Sequence, residues 1–282
     1  TCALPIYGAR FSKLQRRHMS LLVLQHFLCT CVDLMLLPRY YFNGTWRNIL
    51  TLTPEQERWL DEIKSHQGPV AFHTGHVGCW EFAAGLAGIS GKKLNLVYRP
   101  LEIEGIDQEL RRLRTLFGNE AYPKEGALRG YARTLKSGGW LGVIADQNSG
   151  SRAAFLDFFG VAASTEISYF PLYQRYKPRA VAIFVVRDGF NFRFRMVGPF
   201  EEKVRPDAPP LEEAMRLGQW YMKCVEAVAR QYPSQYLWSH KRFTSRPWGY
   251  PPLYDNLGKP LNPDTLAAQP KPPIAPRDWD AS

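Results

Sequence analysis

The stretch HTGHVGCWE, His73 to Glu81, places two histidines, a cysteine, an aromatic ring and a carboxylate in nine positions directly after a short apolar run. Residues of these types support a metal site, a Cys/His nucleophile or a His/carboxylate acid–base pair. On one continuous helix, at about 100° per residue, His76 and Glu81 would point roughly 140° apart and could not meet. Gly75 and Gly78 permit a turn instead, so His76 can sit just ahead of a helix and be faced by Glu81 from its first turn. A carboxylate on one imidazole nitrogen fixes the tautomer and suits the other nitrogen to take a proton. The metal reading is weaker, because His73 and His76 lack the i, i+4 spacing of helical zinc pairs and need not share a face of a strand. Cys79 as a nucleophile has only a helix start to lower its pKa.

The elements that must position these residues follow from the flanking pattern. VAFHTG reads as a short buried strand and CWEFAAGLAGIS as a helix of small residues able to approach a sheet. LNLVYRP and WLGVIADQ read as further strands, and IDQELRRLRTLFG and GALRGYARTLKSGG as helices between them. Strands alternating with helices predict an α/β fold, a single domain with a mostly parallel central sheet flanked by helices. Open sheets of this kind hold ligands at the carboxyl ends of their strands, where His76 and Asp146 both fall. Upstream, TPEQERWLDEIKSHQG carries a capping box on Thr53 and Gln56 with Pro54 at the first helical position. Downstream, residues 165–176 read as helical, two alternating runs around Asp188-Gly189 as a hairpin, and 211–231 as a long helix.

HMSLLVLQHFLCTCVDLMLL, His18 to Leu37, has about the length a bilayer span needs, but Gln25, His26 and Asp33 interrupt it. It is expected to pack on the core or lie at a membrane interface, and Pro38 is expected to end it. The expected organisation is an amino-terminal segment 1–52, a catalytic domain 53–246 and a proline-rich tail 247–282. The chain opens TCALPIYGARF without an initiator Met, which reads as a truncated frame that has lost an upstream anchor.

The 282-residue chain carries a formal net charge of +10, so its partners are expected to be anionic: an anionic membrane surface or an acidic carrier. No sustained basic run with interleaved aromatics points to nucleic acid. Five scattered cysteines read as reduced thiols.

TGHVGCWE resembles the TGHFGNWE motif of the bacterial lysophospholipid acyltransferase-like family that includes the late acyltransferases of lipid A biosynthesis. Four further blocks follow in the family's order: VYRP (Val97–Pro100), ADQ (Ala145–Gln147), FFG (Phe158–Gly160) and YPSQYLWSHKRF (Tyr232–Phe243). The resemblance spans about Thr53 to Pro247. It implies a glycerol-phosphate-acyltransferase-like fold and transfer of a fatty acyl group from an acyl thioester, carried on acyl carrier protein, to a hydroxyl of a membrane glycolipid such as a lipid A precursor. The acyl thioester is then a co-substrate, with no cofactor and no metal, and the enzyme works on the cytoplasmic face of the inner membrane.

Carried onto this sequence, the resemblance makes His76 the base and Glu81 its orienter, with Arg99 assisting the oxyanion or holding a phosphate and Asp146 supporting the site. Backbone amides near Gly78 are expected to serve the oxyanion. Trp80 and Gln147 are expected to border the substrate, Phe158 and Phe159 to line the acyl groove, and His240 and Arg242 to form a basic rim. Cys79 stands where the family has Asn, and His73 where it has an apolar residue. Two alternatives keep their place: the same chemistry on a phosphatidylinositol mannoside or other amino- or glycolipid, and a metal-dependent hydrolase using His73, His76 and Glu81.

Overall fold

The computed structural model describes residues 12–255 and 271–276, apart from positions 90, 99 and 125. In chain order the elements are helix α1 (Lys13–Phe42), the short α2 (Trp46–Ile49), strand β1 (Leu50–Thr51), α3 (Pro54–Ser65), β2 (Val70–Thr74), α4 (Trp80–Ile89), β3 (Leu94–Tyr98), α5 (Glu104–Thr115), β4 (Glu120–Pro123), α6 (Ala127–Lys136) and β5 (Trp140–Ile144). There follow β6 (Ala154–Phe158), β7 (Val161–Thr165), α7 (Pro171–Tyr176), β8 (Arg179–Ala182), β9 (Phe184–Asp188), β10 (Asn191–Arg195), β11 (Glu201–Glu202), the long α8 (Pro210–Gln231) and a single 3-10 turn, Pro233–Gln235.

Six strands form the central sheet in the order β11-β8-β2-β5-β3-β4. β2 runs parallel to β5 and β8, β3 runs parallel to β4 and β5, and β11 is antiparallel to β8. Separate from it are a three-stranded sheet, β1-β10-β9, and the β6-β7 hairpin. The two central strands set the site. β2 and β5 pair in register from Val70 with Trp140 to Thr74 with Ile144. Two residues past each end of that ladder stand His76 and Asp146, so side chains seventy positions apart leave the sheet side by side.

Side chains alternate across β2. Phe72 faces a core that includes Trp59, Ile63, Phe82, Trp140 and Phe194, whereas Ala71 belongs with the core beneath α8, built on Tyr173, Tyr221, Val225 and Trp238. The capping box at Thr53 is formed in both directions, and the Asp188-Gly189 hairpin joins β9 to β10 as the sequence leads one to expect.

Two sequence expectations are corrected. Residues 165–176 are helical only from Pro171, because β7 runs through Thr165 in antiparallel pairing with β6, and proline suits the first turn of a helix. Pro38 lies inside α1, which continues to Phe42. A proline there forfeits a single backbone hydrogen bond, and packing of Leu37 and Tyr41 on either side holds the last turn in place.

α1 is built with its polar residues inward. Thr30, Asp33, Leu37 and Tyr41 are buried at helical spacing, while Leu21, Leu24, Phe27, Leu28, Val32 and Met35 are exposed on the opposite side. The helix is long and apolar enough by composition to cross a membrane, yet it lies along the body of the protein. Asp33 pairs with Arg187 of β9, and the Cys79 thiol donates to the same carboxylate at 3.5 Å. The tail returns to the body, where Phe155 and Ile274 exchange two backbone hydrogen bonds and Leu253 and Tyr254 are buried.

Candidate active site

The turn between β2 and α4 carries His76 and is held from several sides. Val77 forms an isolated antiparallel bridge with Tyr236. On either side of that bridge, Leu237 N–H donates to the His76 carbonyl at 2.9 Å and Gly78 N–H donates to the Gln235 carbonyl at 3.0 Å. Gln235 then ties the segment to β9, accepting from Arg187 N–H and donating to the Arg187 carbonyl, both at 2.9 Å. Cys79 N–H donates to the Val185 carbonyl at 2.7 Å. Gly78 has φ +66°, and a Cβ there would lie 2.1 Å from the Val185 oxygen, so backbone conformation and close approach both require glycine.

His76 is oriented by Asp146. The buried carboxylate takes the His76 backbone N–H on Oδ2 at 2.8 Å and lies 2.6 Å from ring Nδ1 through Oδ1. Because the carboxylate only accepts, Nδ1 carries the proton and Nε2 presents its lone pair outward. Gln147 Nε2 stands 3.3 Å from that Nε2, and the Trp80 ring meets the imidazole edge-on at 5.1 Å. Burial by itself would raise the Asp146 pKa. The His76 ring and backbone N–H outweigh it, with the Arg242 charge assisting, and hold the carboxyl below the usual aspartate range.

Glu81 does not orient His76. Its carboxylate is turned to Arg114 of α5, with Nε at 3.0 and 3.1 Å from the two oxygens and Nη2 closer still. In the first turn of α4 the Glu81 side chain is directed to Arg114 of α5, away from the turn that lifts His76 over the ends of the strands. Arg114 is one of three arginines on a charged helix, and nothing in that run distinguished it. The pair pins α4, and with it Trp80, to α5. Glu81→Ala and Arg114→Ala are each expected to cost about 1–3 kcal/mol of stability. The double variant should lose little more than the worse single one; fully additive losses in denaturant unfolding would show that the two side chains act separately.

The other assignments divide. Gln147 and Trp80 lie at His76 on the wall of a cavity of about 1020 Å³ that also includes Tyr98, Lys124, Asn148 and Glu166. Arg99 falls outside the described residues. Gly78 shapes the turn, but its N–H and that of Cys79 are committed to Gln235 and Val185, which removes them as oxyanion donors. Phe158 and Phe159 are core residues packed against Tyr236, Trp238 and Phe243, and they line neither the His76 cavity nor its apolar neighbour. The hairpin that carries them turns inward beneath α8, which is why a groove assignment fails.

Arg242 is fully buried. Its guanidinium donates to the Ser164 carbonyl and, at 2.6 Å, to Thr165 Oγ1. It supplies positive charge behind Asp146 and is no part of a surface rim. His240 Nε2 accepts the Asn148 N–H at 2.8 Å, and burial, aided by the Arg242 charge, pushes its pKa down to about 4. A neutral His240 therefore fixes the loop after β5 and adds no charge for phosphates.

His73 and Cys79 are explained by packing. The His73 ring is wholly buried, stacked on Phe170 at 5.7 Å and 3.0 Å from the Tyr173 hydroxyl through Nε2; burial lowers its pKa to about 3. It lies on the α8 side of the sheet, while Glu81 is held by Arg114, so the three residues of the metal reading do not converge. Burial raises the Cys79 thiol to about 12, which leaves no thiolate for nucleophilic attack.

A second cavity, of about 610 Å³, opens on the other side of Trp80. Its walls are mostly apolar, with Trp46, Leu60, Phe72, Ala84 and Trp140 among them. Trp80, Val143 and Ile144 border both cavities.

These features define an α/β protein whose site holds the parts of a general-base catalyst: an outward imidazole nitrogen, a buried carboxylate behind it and two cavities alongside. The chain belongs to the bacterial lipid A biosynthesis acyltransferase family, whose model matches residues 52–245. It is 30% identical over 164 residues to the lipid A biosynthesis lauroyltransferase of Escherichia coli (strain K12), covering 56% of this chain and 51% of the relative. It is 23% identical over 190 residues to the lipid A biosynthesis myristoyltransferase of the same organism, covering 66% and 57%. With the lipid A biosynthesis acyltransferase 1 of Shigella flexneri it shares 22% identity over 190 residues, again covering 66% and 57%. The chain thus spans about half the length of the curated relatives it matches.

Proposed function

We propose that this protein transfers a fatty acyl group from an acyl thioester, carried on acyl carrier protein, to a hydroxyl of a lipid A precursor at the cytoplasmic face of the inner membrane, on a glycerol-phosphate-acyltransferase-like scaffold. The observation that carries the reading is the His76–Asp146 pair, set at the strand ends on the wall of one cavity and next to a second, in a chain of this family.

The acceptor hydroxyl, whose pKa lies far above neutrality, gives its proton to His76 Nε2 as its oxygen attacks the thioester carbonyl. Asp146 stabilises the imidazolium that forms. The tetrahedral intermediate collapses with cleavage of the C–S bond, and the imidazolium returns the proton to the departing thiolate. Products are an ester and a free thiol, and His76 is restored. The apolar cavity beside Trp80 suits the hydrocarbon chain, and the cavity at His76, whose wall carries Lys124, Gln147, Asn148 and Glu166, suits the sugar. Gln147 is exposed within hydrogen-bond reach of Nε2, so it can yield that nitrogen to the incoming hydroxyl. The outward apolar face of α1 and the net charge of +10 fit an anionic membrane surface.

The test is to incubate the full chain with an acyl-carrier thioester and a lipid A precursor and to weigh the products. An acceptor heavier by one acyl group, with the carrier thiol freed in equal amount, is expected. Unmodified acceptor under turnover conditions would sink the reading.

A further inference from the structure

Tyr221, twelve residues into α8, is fully buried, and its hydroxyl touches the two strands that carry the reacting pair. It donates to the Thr74 carbonyl at 2.8 Å and accepts the Ala145 N–H at 2.9 Å. Thr74 is the last residue of β2, and Ala145 follows the last residue of β5. The β2–β5 ladder ends with Thr74 beside Ile144, and the hydroxyl stands where a direct amide-to-carbonyl bond between the strands would come next. One oxygen atom is therefore inserted between the strands one residue before Asp146 and two residues before His76.

We propose that Tyr221 is a positioning residue for the acyl transfer: its hydroxyl holds the ends of β2 and β5 apart at the separation that lets Asp146 grip both the backbone N–H and the ring Nδ1 of His76. The two contacts, at 2.8 and 2.6 Å, need the carboxylate to lie alongside the turn. A direct bond between Thr74 and Ala145 would draw the strands together and shift one residue against the other. The ring of Tyr221 packs against that of His73, whose centroid lies 5.2 Å away, and His73 packs in turn on Phe170 and Trp220. His73 thereby acquires a place in the same support: the strand that presents Thr74 to the hydroxyl also presents the ring that confines it.

The proposal rests on His76 and Asp146 being the reacting pair. Tyr221→Phe deletes only the hydroxyl, and a misplacement of the pair by up to an ångström is expected to lower kcat by about 10- to 100-fold while KM stays within about twofold. The acid limb of the kcat–pH profile should move as well, since it reports the His76–Asp146 contact, whereas a purely structural role would leave that limb in place. Wild-type kcat with an unmoved limb, or a loss confined to KM, would overturn the proposal. If the Tyr221→Phe protein does not fold, amide exchange in the wild-type chain decides: the Ala145 N–H should exchange as slowly as the amides inside β5, and exchange at the rate of exposed loops overturns the proposal. His76→Ala measured in parallel separates the two readings. A fully active His76→Ala protein removes the acyl-transfer site, whereas an inactive one beside a fully active Tyr221→Phe removes this proposal alone.

Discussion

Acyl transfer by the His76→Ala protein should fall by about 10²–10⁴-fold, the range over which a positioned base contributes, with the fold intact. The ring is partly exposed at a cavity wall, and its buried contacts run to Asp146 and Trp80. The backbone of the turn is held independently by Leu237, Gln235 and Val185. Truncation thus removes the proton acceptor and leaves the main chain anchored. A steady-state assay with an acyl-carrier thioester, set beside thermal unfolding, checks both halves. An unchanged rate would mean that the acceptor proton leaves by another route. A rate lost together with the fold would mean that the ring is structural.

The sequence made the fold legible wherever its signal is local. Alternating strands and helices, the Thr53 capping box and the Asp188-Gly189 turn are each written in a few neighbouring residues, and each appears in place. Pro38 misled because local propensity disfavours proline inside a helix, whereas long-range packing of Leu37 and Tyr41 decides the matter.

The site was legible by type and only partly by partner. His76 and Asp146 stood out at strand ends, but their contact depends on β2 and β5 being neighbours in register, which no spacing within one segment encodes. Glu81 was the nearest carboxylate in sequence, and its true partner lies thirty-three residues on, in α5. The run His240-Lys241-Arg242 has the composition of a solvated rim. Burial divides it, sending Arg242 into the interior behind Asp146 and leaving His240 neutral over a loop. Burial is a property of the assembled layers, so residue type alone could not separate these roles. Tyr221 was invisible for the same reason, since a tyrosine on an amphipathic helix reads as core until the strand ends are seen on either side of its hydroxyl.

Asp146→Asn should be nearly as damaging as loss of the imidazole, about 10²–10⁴-fold in kcat, with little change in shape. Asp146 accepts from two sources, the fixed His76 backbone N–H and the ring Nδ1–H. Asparagine offers one acceptor and one NH₂ donor. The backbone N–H takes the oxygen, so the NH₂ faces Nδ1 and selects the tautomer with its proton on Nε2, the nitrogen that must act as base. The imidazolium also loses its counter-charge.

Stability adds a second readout. Because the folded-state pKa of Asp146 is depressed, its contribution is present above the unfolded aspartate value of about 3.9 and is lost as pH falls through the lower folded value. The stability difference between wild type and Asp146→Asn should therefore be widest near neutral pH and narrow only in strong acid. Removal of the carboxylate would also withdraw a negative charge that acts on the buried Arg242, which adds to the cost at neutral pH. Denaturant midpoints measured across that range test the sign. A gap that widened on acidification would mean that the carboxyl is held neutral in the folded protein, and the imidazole would then have no anion to orient it.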